Sequence, residues 1–544
     1  NYNTFKGGML MEKKQPELKL YFKLPNPGLR AYFQRTVEGN QDDYRPPFWK
    51  GVSRDKVLQA WQAVFDTLGV KEKYPTLYDY EMEMKGKVGP MSLQKPLKDR
   101  IQDIESYYTR SNNVKGVEIA QEAIDDTIRF FGKAKGIRLR SRANTAANMR
   151  LSTNSGNPWF TKRRRVIQEA IDGSIYIQDG IAYGVVDGET YQLCAILGWR
   201  GQEGGISEDD VKQRVIWMMS LLLNLIELQF YQPAIEAMQK NKLIPAFVSM
   251  DEVDKEVTAL FDSKNADDVV ICTDFTKFDQ SFNPFLQKAA KQVIASLGTP
   301  SQEFTWWLEN IYPIKFSLPL ICSEDLMFTG PHGMGSGSGG TNFDEDMAHK
   351  CLQFEACRLA NTTLNPHSMA YGDDGVLSAP GLSVEQVIRA YTSHGLEMNP
   401  DKQYVSKHDC IVLRRWHSMN YRVNGIMVGV YSTFRALGRL LGQERFYDPE
   451  VWGPEQVTLR AWSIIENCNH SPYFEDFVRF VMKGDKYRLG LDIPGFFDRI
   501  DKVVKESIEQ LPDFLGYTKT LQTKDGKAVG IREWRIYKFL STLR

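Results

Sequence analysis

The stretch Met369-Ala370-Tyr371-Gly372-Asp373-Asp374-Gly375-Val376-Leu377 decides how this chain is read. Two adjacent carboxylates sit at a tight turn between short apolar runs. Gly and Asp supply turn conformations, so the stretch predicts a hairpin tip. About a hundred residues upstream a second apolar run, Val269-Val270-Ile271-Cys272-Thr273, ends at Asp274, and Asp279 follows five positions later. Each feature alone has an ordinary explanation. A Gly-Asp-Asp-Gly turn is usually only a turn, and Asp commonly caps a helix. Together, carboxylates at two strand ends can hold a pair of Mg²⁺ ions about 4 Å apart, which activate an attacking oxygen and stabilise a leaving one. Asp274, Asp373 and Asp374 are therefore candidate metal ligands, and the chemistry indicated is phosphoryl or nucleotidyl transfer. Asp279 is offset enough to face the sugar of a bound nucleotide.

Between the two acidic sites lies Met334-Gly335-Ser336-Gly337-Ser338-Gly339-Gly340-Thr341-Asn342. Its small residues let the backbone approach a ligand closely. Asn342 with Glu345 predicts a capping box, and Phe343, Met347 and Cys351 fall on one face of the helix that follows. The same loop matches G-x-G-x-x-G at Gly335, Gly337 and Gly340, with Glu355 at a tolerable distance, so a dinucleotide site is a competing reading. That reading leaves the two aspartate sites and a basic segment without a purpose. No Gly-Lys-Ser/Thr follows, so the loop is not a P-loop.

The basic segment runs from Phe131 to Arg165, with ten basic residues and no acidic ones. It contains Ser155-Gly156-Asn157-Pro158-Trp159-Phe160, a turn carrying aromatics, and then Lys162-Arg163-Arg164-Arg165. Cations with aromatic faces suit a single-stranded nucleic-acid backbone and its bases. A solvated charged face is the plainer account of Lys-Arg-Arg-Arg alone. Further on, Lys212 and Arg214 alternate with apolar residues. A strand would put both on one face, whereas a helix start would let both snorkel.

Composition allows this chemistry without demanding it. At 544 residues, with 42% hydrophobic and 25% charged content, the chain is long enough for about three or four packed units. Net charge is zero, so nucleic-acid affinity must come from local clusters. The longest apolar stretch, Val215 to Leu228, includes Ser220, Asn224 and Glu227 and is too short and polar to span a bilayer. No apolar signal region stands at the N-terminus of the sequence, so no secretion signal is expected. Seven scattered cysteines without C-x-x-C argue against disulfides or a zinc site and for small buried hydrophobes.

Elsewhere, residues 1–110 read as an extended region with a few helices, such as Val57 to Leu68. Asn283-Pro284 opens a helix, and Phe304 to Leu320 is aromatic and poorly periodic. Ser383 with Gln386 makes a capping box, and Asn424-Gly425 predicts a hairpin with a type I′ turn. From Ser432 the chain reads as mostly helical, with a basic tail (Arg532, Arg535, Lys538, Arg544) that also carries Trp534, Tyr537 and Phe539. No internal repeat is present.

These residues, in this order, resemble the RNA-dependent RNA polymerases of RNA viruses over roughly residues 150–440. Asp-Phe-Thr-Lys-Phe-Asp-Gln from Asp274 and Ser-Gly-Ser-Gly-Gly-Thr-Asn from Ser336 are most similar to picobirnavirus polymerases, with partitivirus enzymes next. The resemblance implies an α/β right-hand fold with an α+β palm, fingers and thumb. Residues 1–110 would form an N-terminal extension bridging fingers and thumb. Residues 111–265 and 295–330 would form the fingers, 266–294 and 331–430 the palm, and 431–544 the thumb and C-terminal tail.

The resemblance also implies roles. Asp274, Asp373 and Asp374 would hold two Mg²⁺, with Mn²⁺ as a substitute. Lys402, in Gly395-Leu-Glu-Met-Asn-Pro-Asp-Lys402, would be a general acid toward pyrophosphate. Lys212 and Arg214, with Arg200, would grip the triphosphate. Asp279, Ser336, Thr341 and Asn342 would contact nucleotide or template. Ser155, Gly156, Asn157, Pro158, Lys162, Arg163 and Arg164 would bind RNA. Arg414 and Arg415, in Val412-Leu-Arg-Arg-Trp416, would support the primer end. Many positive-strand virus polymerases carry Asn four positions after the loop threonine, to sense the ribose 2′-hydroxyl. Here that position is Glu345, which leaves Asn342, Asp344 and Glu345 itself as candidates. The expected partners are template and product RNA, nucleoside triphosphates and a capsid protein, in a virion interior or host cytoplasm. The implied activity is replication and transcription of a double-stranded RNA genome. A reverse transcriptase, and a non-catalytic RNA-binding protein on a degenerate scaffold, are the alternatives.

Overall fold

A computed structural model of the chain describes residues 11–510 and 530–544. At its centre Val270–Thr273 forms an inner strand of a four-stranded antiparallel sheet. The order is Met369–Tyr371, Asp374–Leu377, Val270–Thr273, Tyr404–Ser406. All four residues of Val270–Thr273 are buried, which is why the run reads as continuously apolar. Strand alternation divides the sheet between two cores. Val270, Cys272, Met369 and Val376 join Val253, Val257, Leu260 and Phe261 of the Met250–Ser263 helix. Ile271 and Leu377 join the opposite core, with Leu286 and Val293 of the Pro284–Leu297 helix and Met347 and Cys351 of the Thr341–Leu359 helix. Full burial of a side chain such as Ile271 stabilises by roughly 1.5–3 kcal/mol.

A second sheet runs Glu12–Lys14, Met327–Thr329, Leu320–Ile321, Ala195–Gln202, Lys212–Met218. The last two strands pair antiparallel, with Arg200 opposite Arg214. The strand reading of the Lys212 region therefore holds, with Lys212 and Arg214 exposed and Gln213 and Val215 buried. Ser174–Gln178, Ile181–Val186 and Glu189–Gln192 form a separate three-stranded sheet. Asp409–Val412, Arg415–Ser418 and Val430–Tyr431 form another.

Residues 11–110 are more helical than expected, with helices at Pro27–Glu38, Arg54–Phe65, Pro75–Lys87 and, at their end, Ile101–Asn112. They pack in two places. Leu29 and Phe33 share a core with Ile196, Ile321 and Met327 of the five-stranded sheet. Trp61, Phe65 and Leu77 share one with Phe434, Trp462, Phe477 and Phe496 of the C-terminal helices. Trp61 Nε1 donates to Thr433 Oγ1 at 3.0 Å. Thr433 in turn gives its N–H, at 3.0 Å, and its hydroxyl to the buried Glu81 carboxylate. Ile536, Phe539 and Leu540, beyond the undescribed segment, belong to the same core, as does Trp534.

Local expectations fare unevenly. The Ser383–Gln386 capping box is present. Asn424 and Gly425 have φ of 51° and 81°, the pair of positive values a type I′ turn requires. Phe304 to Leu320 lacks one period because it passes from α-helix (Gln302–Trp306) through π-helix (Trp307–Ile311) to 3₁₀-helix (Tyr312–Phe316). The Asn342–Glu345 capping box is absent. The helix starts at Thr341 behind Gly340, and Glu345 turns inward. All seven cysteines are free and buried. Among the described residues no helix is long and apolar enough to cross a membrane.

Candidate active site

Thr273 pairs with Gly375, so Asp274 leaves its strand beside Asp374 of the neighbouring one. Tyr371 pairs with Asp374, leaving Gly372 and Asp373 as a two-residue turn, with Gly372 at φ 59°. The three carboxylates thus meet at one end of the central sheet. Their electrostatics record the crowding. Burial, then Asp279 and Asp274, raise Asp373 above the usual carboxylate range. Burial and then Asp373 push Asp374 up to about 7. Burial raises Asp274, while Lys402 and Lys87 oppose the rise. Hard oxygen donors that repel one another fit a divalent cation, which takes carboxylates and relieves the repulsion. Asp374 Oδ2 accepts the Leu413 N–H at 2.7 Å, which engages one of its two oxygens. A tighter acidic group, Asp251, Asp254 and His470, lies elsewhere, and there Asp254 is bonded to His417 at 2.9 Å.

Side chains fix the backbone on both sides of these carboxylates. Gln403 closes on Asp274: its Oε1 accepts the Asp274 N–H at 2.8 Å, and its Nε2 donates to the carbonyls of Asp274 and Asn399 at 2.9 Å each. The amide continues the Tyr404–Cys272 pairing beyond the strand end. From beneath the turn, Asp346 Oδ1 accepts the Gly372 N–H at 2.5 Å, and His349 Nδ1 donates to the Gly372 carbonyl at 2.9 Å. Leu413 and Arg414 form a turn with φ of 51° and 60°, unusual for residues with side chains. Tyr80 Oη donates to the Arg414 carbonyl at 2.7 Å, and the Arg414 guanidinium opposes the raised pKa of both Asp373 and Asp374.

The Thr341–Leu359 helix carries three acids in succession, each turned to a different element. Asp344 pairs with Lys315 at 2.8 Å and accepts from Tyr231 Oη at 2.7 Å, all fully buried. Glu345 lies against Asp279: burial, that carboxylate and a hydrogen bond between the two hold the Glu345 carboxyl well above its ordinary range. Asp346 faces Gly372. Asn342, expected at the ribose, is exposed, with its Nδ2 3.3 Å from Tyr371 Oη. Glu345 was one of three candidates for the ribose, whereas Asp346, His349 and Gln403 were not among the expected site residues.

The Gly/Ser loop is small for packing reasons. A Cβ on Gly337 would stand 1.8 Å from the Trp217 carbonyl, and one on Gly340 2.0 Å from the Tyr231 ring. Ser336 Oγ accepts the Trp217 N–H at 3.1 Å, and Thr341 Oγ1 lies 3.2–3.3 Å from the carbonyls of Gly335, Ser336 and Ser338. The dinucleotide reading lapses, since the adjoining sheet is mostly antiparallel and Glu355 is buried on the Ala120 N–H at 2.7 Å.

Among the basic residues, Lys162, Arg164, Lys212, Arg214, Arg200 and Lys402 are exposed. Arg200 Nε lies 3.7 Å from Glu444. Arg163 is half-buried and bonds Asn224 Oδ1 at 2.8 Å, so it ties the basic turn to the following helix. Ser155, Gly156, Asn157 and Pro158, expected at RNA, are buried. Asn157 bonds the carbonyls of Tyr21 and Gln192, and a Gly156 Cβ would meet the Met219 carbonyl at 2.5 Å. The turn's polar groups are engaged in holding its shape, and the flanking Lys162 and Arg164 face outward. Arg414 is exposed, and Arg415 is half-buried over the Tyr431 ring at 5.6 Å.

A family model described as viral RNA-dependent RNA polymerase matches residues 205–465. The "Potential RNA-dependent RNA polymerase" of Human picobirnavirus (strain Human/Thailand/Hy005102/-) is 49% identical over 528 residues, covering 96% of this chain and 98% of the relative. The crystal structure of the RNA-dependent RNA polymerase of a human picobirnavirus matches with a TM-score of 0.91 at 49% identity, over 97% of this chain and 99% of that one. Its insertion loop deletion mutant matches with a TM-score of 0.90 at 46% identity, over the same shares of each chain.

Proposed function

The chain belongs to the viral RNA-dependent RNA polymerases, and we propose that it joins ribonucleotides to an RNA 3′ end at Asp274, Asp373 and Asp374. The observation that carries this is the pairing of Thr273 with Gly375, which gathers those carboxylates at one sheet end within electrostatic reach of Lys402. Asp274 and Asp373, with Asp374, would hold two Mg²⁺ or Mn²⁺. Bound there, the cations lower the pKa of the attacking 3′-hydroxyl and stabilise the in-line transition state.

The chain's own residues supply the rest. Lys212, Arg214 and Arg200 stand on neighbouring strands with Arg200 opposite Arg214, a cationic face suited to a triphosphate. Lys402 gives a proton to the leaving pyrophosphate. Asp279 reads the ribose together with Glu345, whose neutral carboxyl can donate a hydrogen bond where an ionised one could only accept. This assigns to Glu345 the part expected of Asn342. Ser336 and Thr341 shape the loop that approaches template and nucleotide. Lys162, Arg164 and Arg414 meet the RNA backbone.

The right-hand division into fingers, palm and thumb belongs to the same proposal. Supporting it, residues within 11–110 pack against both the five-stranded sheet and the C-terminal helices, as a bridging extension would. Replication and transcription of a double-stranded genome, a capsid partner and a virion or cytoplasmic setting follow from the family resemblance alone. The test is labelled UTP incorporation on poly(A) with Mg²⁺ or Mn²⁺, with dTTP and Asp373→Ala controls. Ribonucleotide product that disappears in the variant is expected. Substantial activity in Asp373→Ala would refute the metal assignment.

A further inference from the structure

The turn bearing Asp373 is two residues long and is gripped at Gly372 by two buried side chains of one helix. Asp346 and His349 are three positions apart and so share a helix face. One takes the Gly372 N–H, the other gives to the Gly372 carbonyl. Because a carbonyl only accepts, His349 must carry its proton on Nδ1. Burial depresses its pKa to about 4, so the ring is neutral and this tautomer persists at working pH. The ring is itself immobilised. It packs edge-to-face on Phe275 with centroids 5.1 Å apart, and a Cβ on Gly375 would stand 2.6 Å from its Nε2. Both peptide groups flanking Gly372 are thereby fixed, and Asp373 is the next residue.

We propose that Asp346 and His349 are positioning residues that aim the Asp373 carboxylate for cation binding by holding the Gly372 backbone from beneath. The inference rests on the reading of Asp373 as a metal ligand. It goes beyond that reading by assigning the ligand's orientation to two residues bonded to the Gly372 backbone. A purely architectural role, in which the same bonds merely fasten helix to sheet, would affect folding and leave metal affinity alone.

The experiment is Mn²⁺ binding to the full chain, followed by loss of the free-ion EPR signal, alongside melting temperature. The variants are Asp346→Asn, Asp346→Leu, His349→Asn and His349→Leu, with Asp373→Ala as control. Asn at 346 keeps an acceptor for the Gly372 N–H, and Asn at 349 keeps a donor for its carbonyl. Both Leu variants are expected to weaken Mn²⁺ binding about tenfold or more, the scale on which residues behind metal ligands act. The Asn variants should stay within about twofold of the parent, because their hydrogen bonds survive. Parental affinity in the Leu variants overturns the proposal. So does a loss in Asp346→Asn as large as in Asp346→Leu, since charge rather than the bond to Gly372 would then matter. Should Asp346→Leu fail to fold, the two His349 variants and Asp346→Asn decide the matter. Parental affinity in Asp373→Ala would instead sink the metal reading on which the proposal stands.

Discussion

Glu81 joins the N-terminal helices to the C-terminal core, and its titration should be visible in the stability of the whole protein. Its carboxylate is buried, with one oxygen accepting from the Thr433 N–H and hydroxyl and the other without a partner. Burial pushes its pKa from 4.5 up to about 7, only partly offset by those hydrogen bonds. Between these values the folded chain keeps a proton that the unfolded chain has released. The contribution to stability is therefore full below pH 4.5 and declines as pH rises to about 7, above which it is gone. At about 1.4 kcal/mol per pH unit, the loss amounts to about 3 kcal/mol. Glu81→Gln replaces the titrating acid with a neutral group of the same shape and removes the decline. At an unfolding entropy of about 2.1 cal/mol/K per residue, that is about 3 °C for a chain of this length unfolding as one unit. The assay is melting temperature of parent and variant from pH 5 to pH 8.5. The two should nearly coincide at the acid end and separate progressively, with the variant higher, up to about pH 7. Parallel curves, or a variant that is less stable at pH 8, would show that Glu81 is not held neutral by its surroundings.

Three further outcomes concern the reaction. Lys402→Leu should slow single-nucleotide addition roughly 10²–10⁴-fold at saturating nucleotide with little change in nucleotide affinity, and a parental rate would remove Lys402 as the acid. Arg214→Gln should raise the nucleotide KM about tenfold while leaving RNA binding intact; an unchanged KM places the triphosphate elsewhere. Glu345→Gln keeps a donor beside Asp279 and should preserve ribose selection, whereas Glu345→Ala should raise deoxynucleotide use about tenfold, read as a ratio of kcat/KM values. Equal ratios in parent and both variants would end that assignment.

The parts of the site that could be read in advance are those written locally. Val269 to Asp274 and Met369 to Leu377 announced strand ends, because apolar runs closed by turn residues leave little choice. Lys212 and Arg214 announced one strand face by their alternation. What stayed hidden depends on distant partners. Ser155 to Pro158 has the composition of an exposed turn, and only its contacts with Tyr21, Gln192 and Met219 reveal that it is enclosed. Asn342 and Glu345 have the spacing of a capping box, but tertiary contacts with Tyr371 and Asp279 outweigh it. One signal was available. Helix positions 343 to 353 are buried without a break, and the sequence there mixes Asp344, Glu345, Asp346, His349 and Lys350 with Phe343 and Met347. A helix enclosed on all sides must give its polar groups partners as well as bury its apolar face. The N-terminal helices carried no such mark, since their partners lie hundreds of residues away.

The three acids at 344, 345 and 346 differ in how they can change over time. Asp344 answers to the side chains of Lys315 and Tyr231, and Glu345 to that of Asp279, so a replacement at either can be matched by a second replacement across the contact. Asp346 answers to a backbone N–H, which every residue but proline presents alike. No compensating change exists for it. Among diverging copies of this chain, position 344 is thus free to drift together with 315 and 231, whereas 345 is also held by its part at the ribose. Position 346 can move only between residues that offer the same acceptor, and a single inserted residue ahead of it would rotate all three acids off their partners at once.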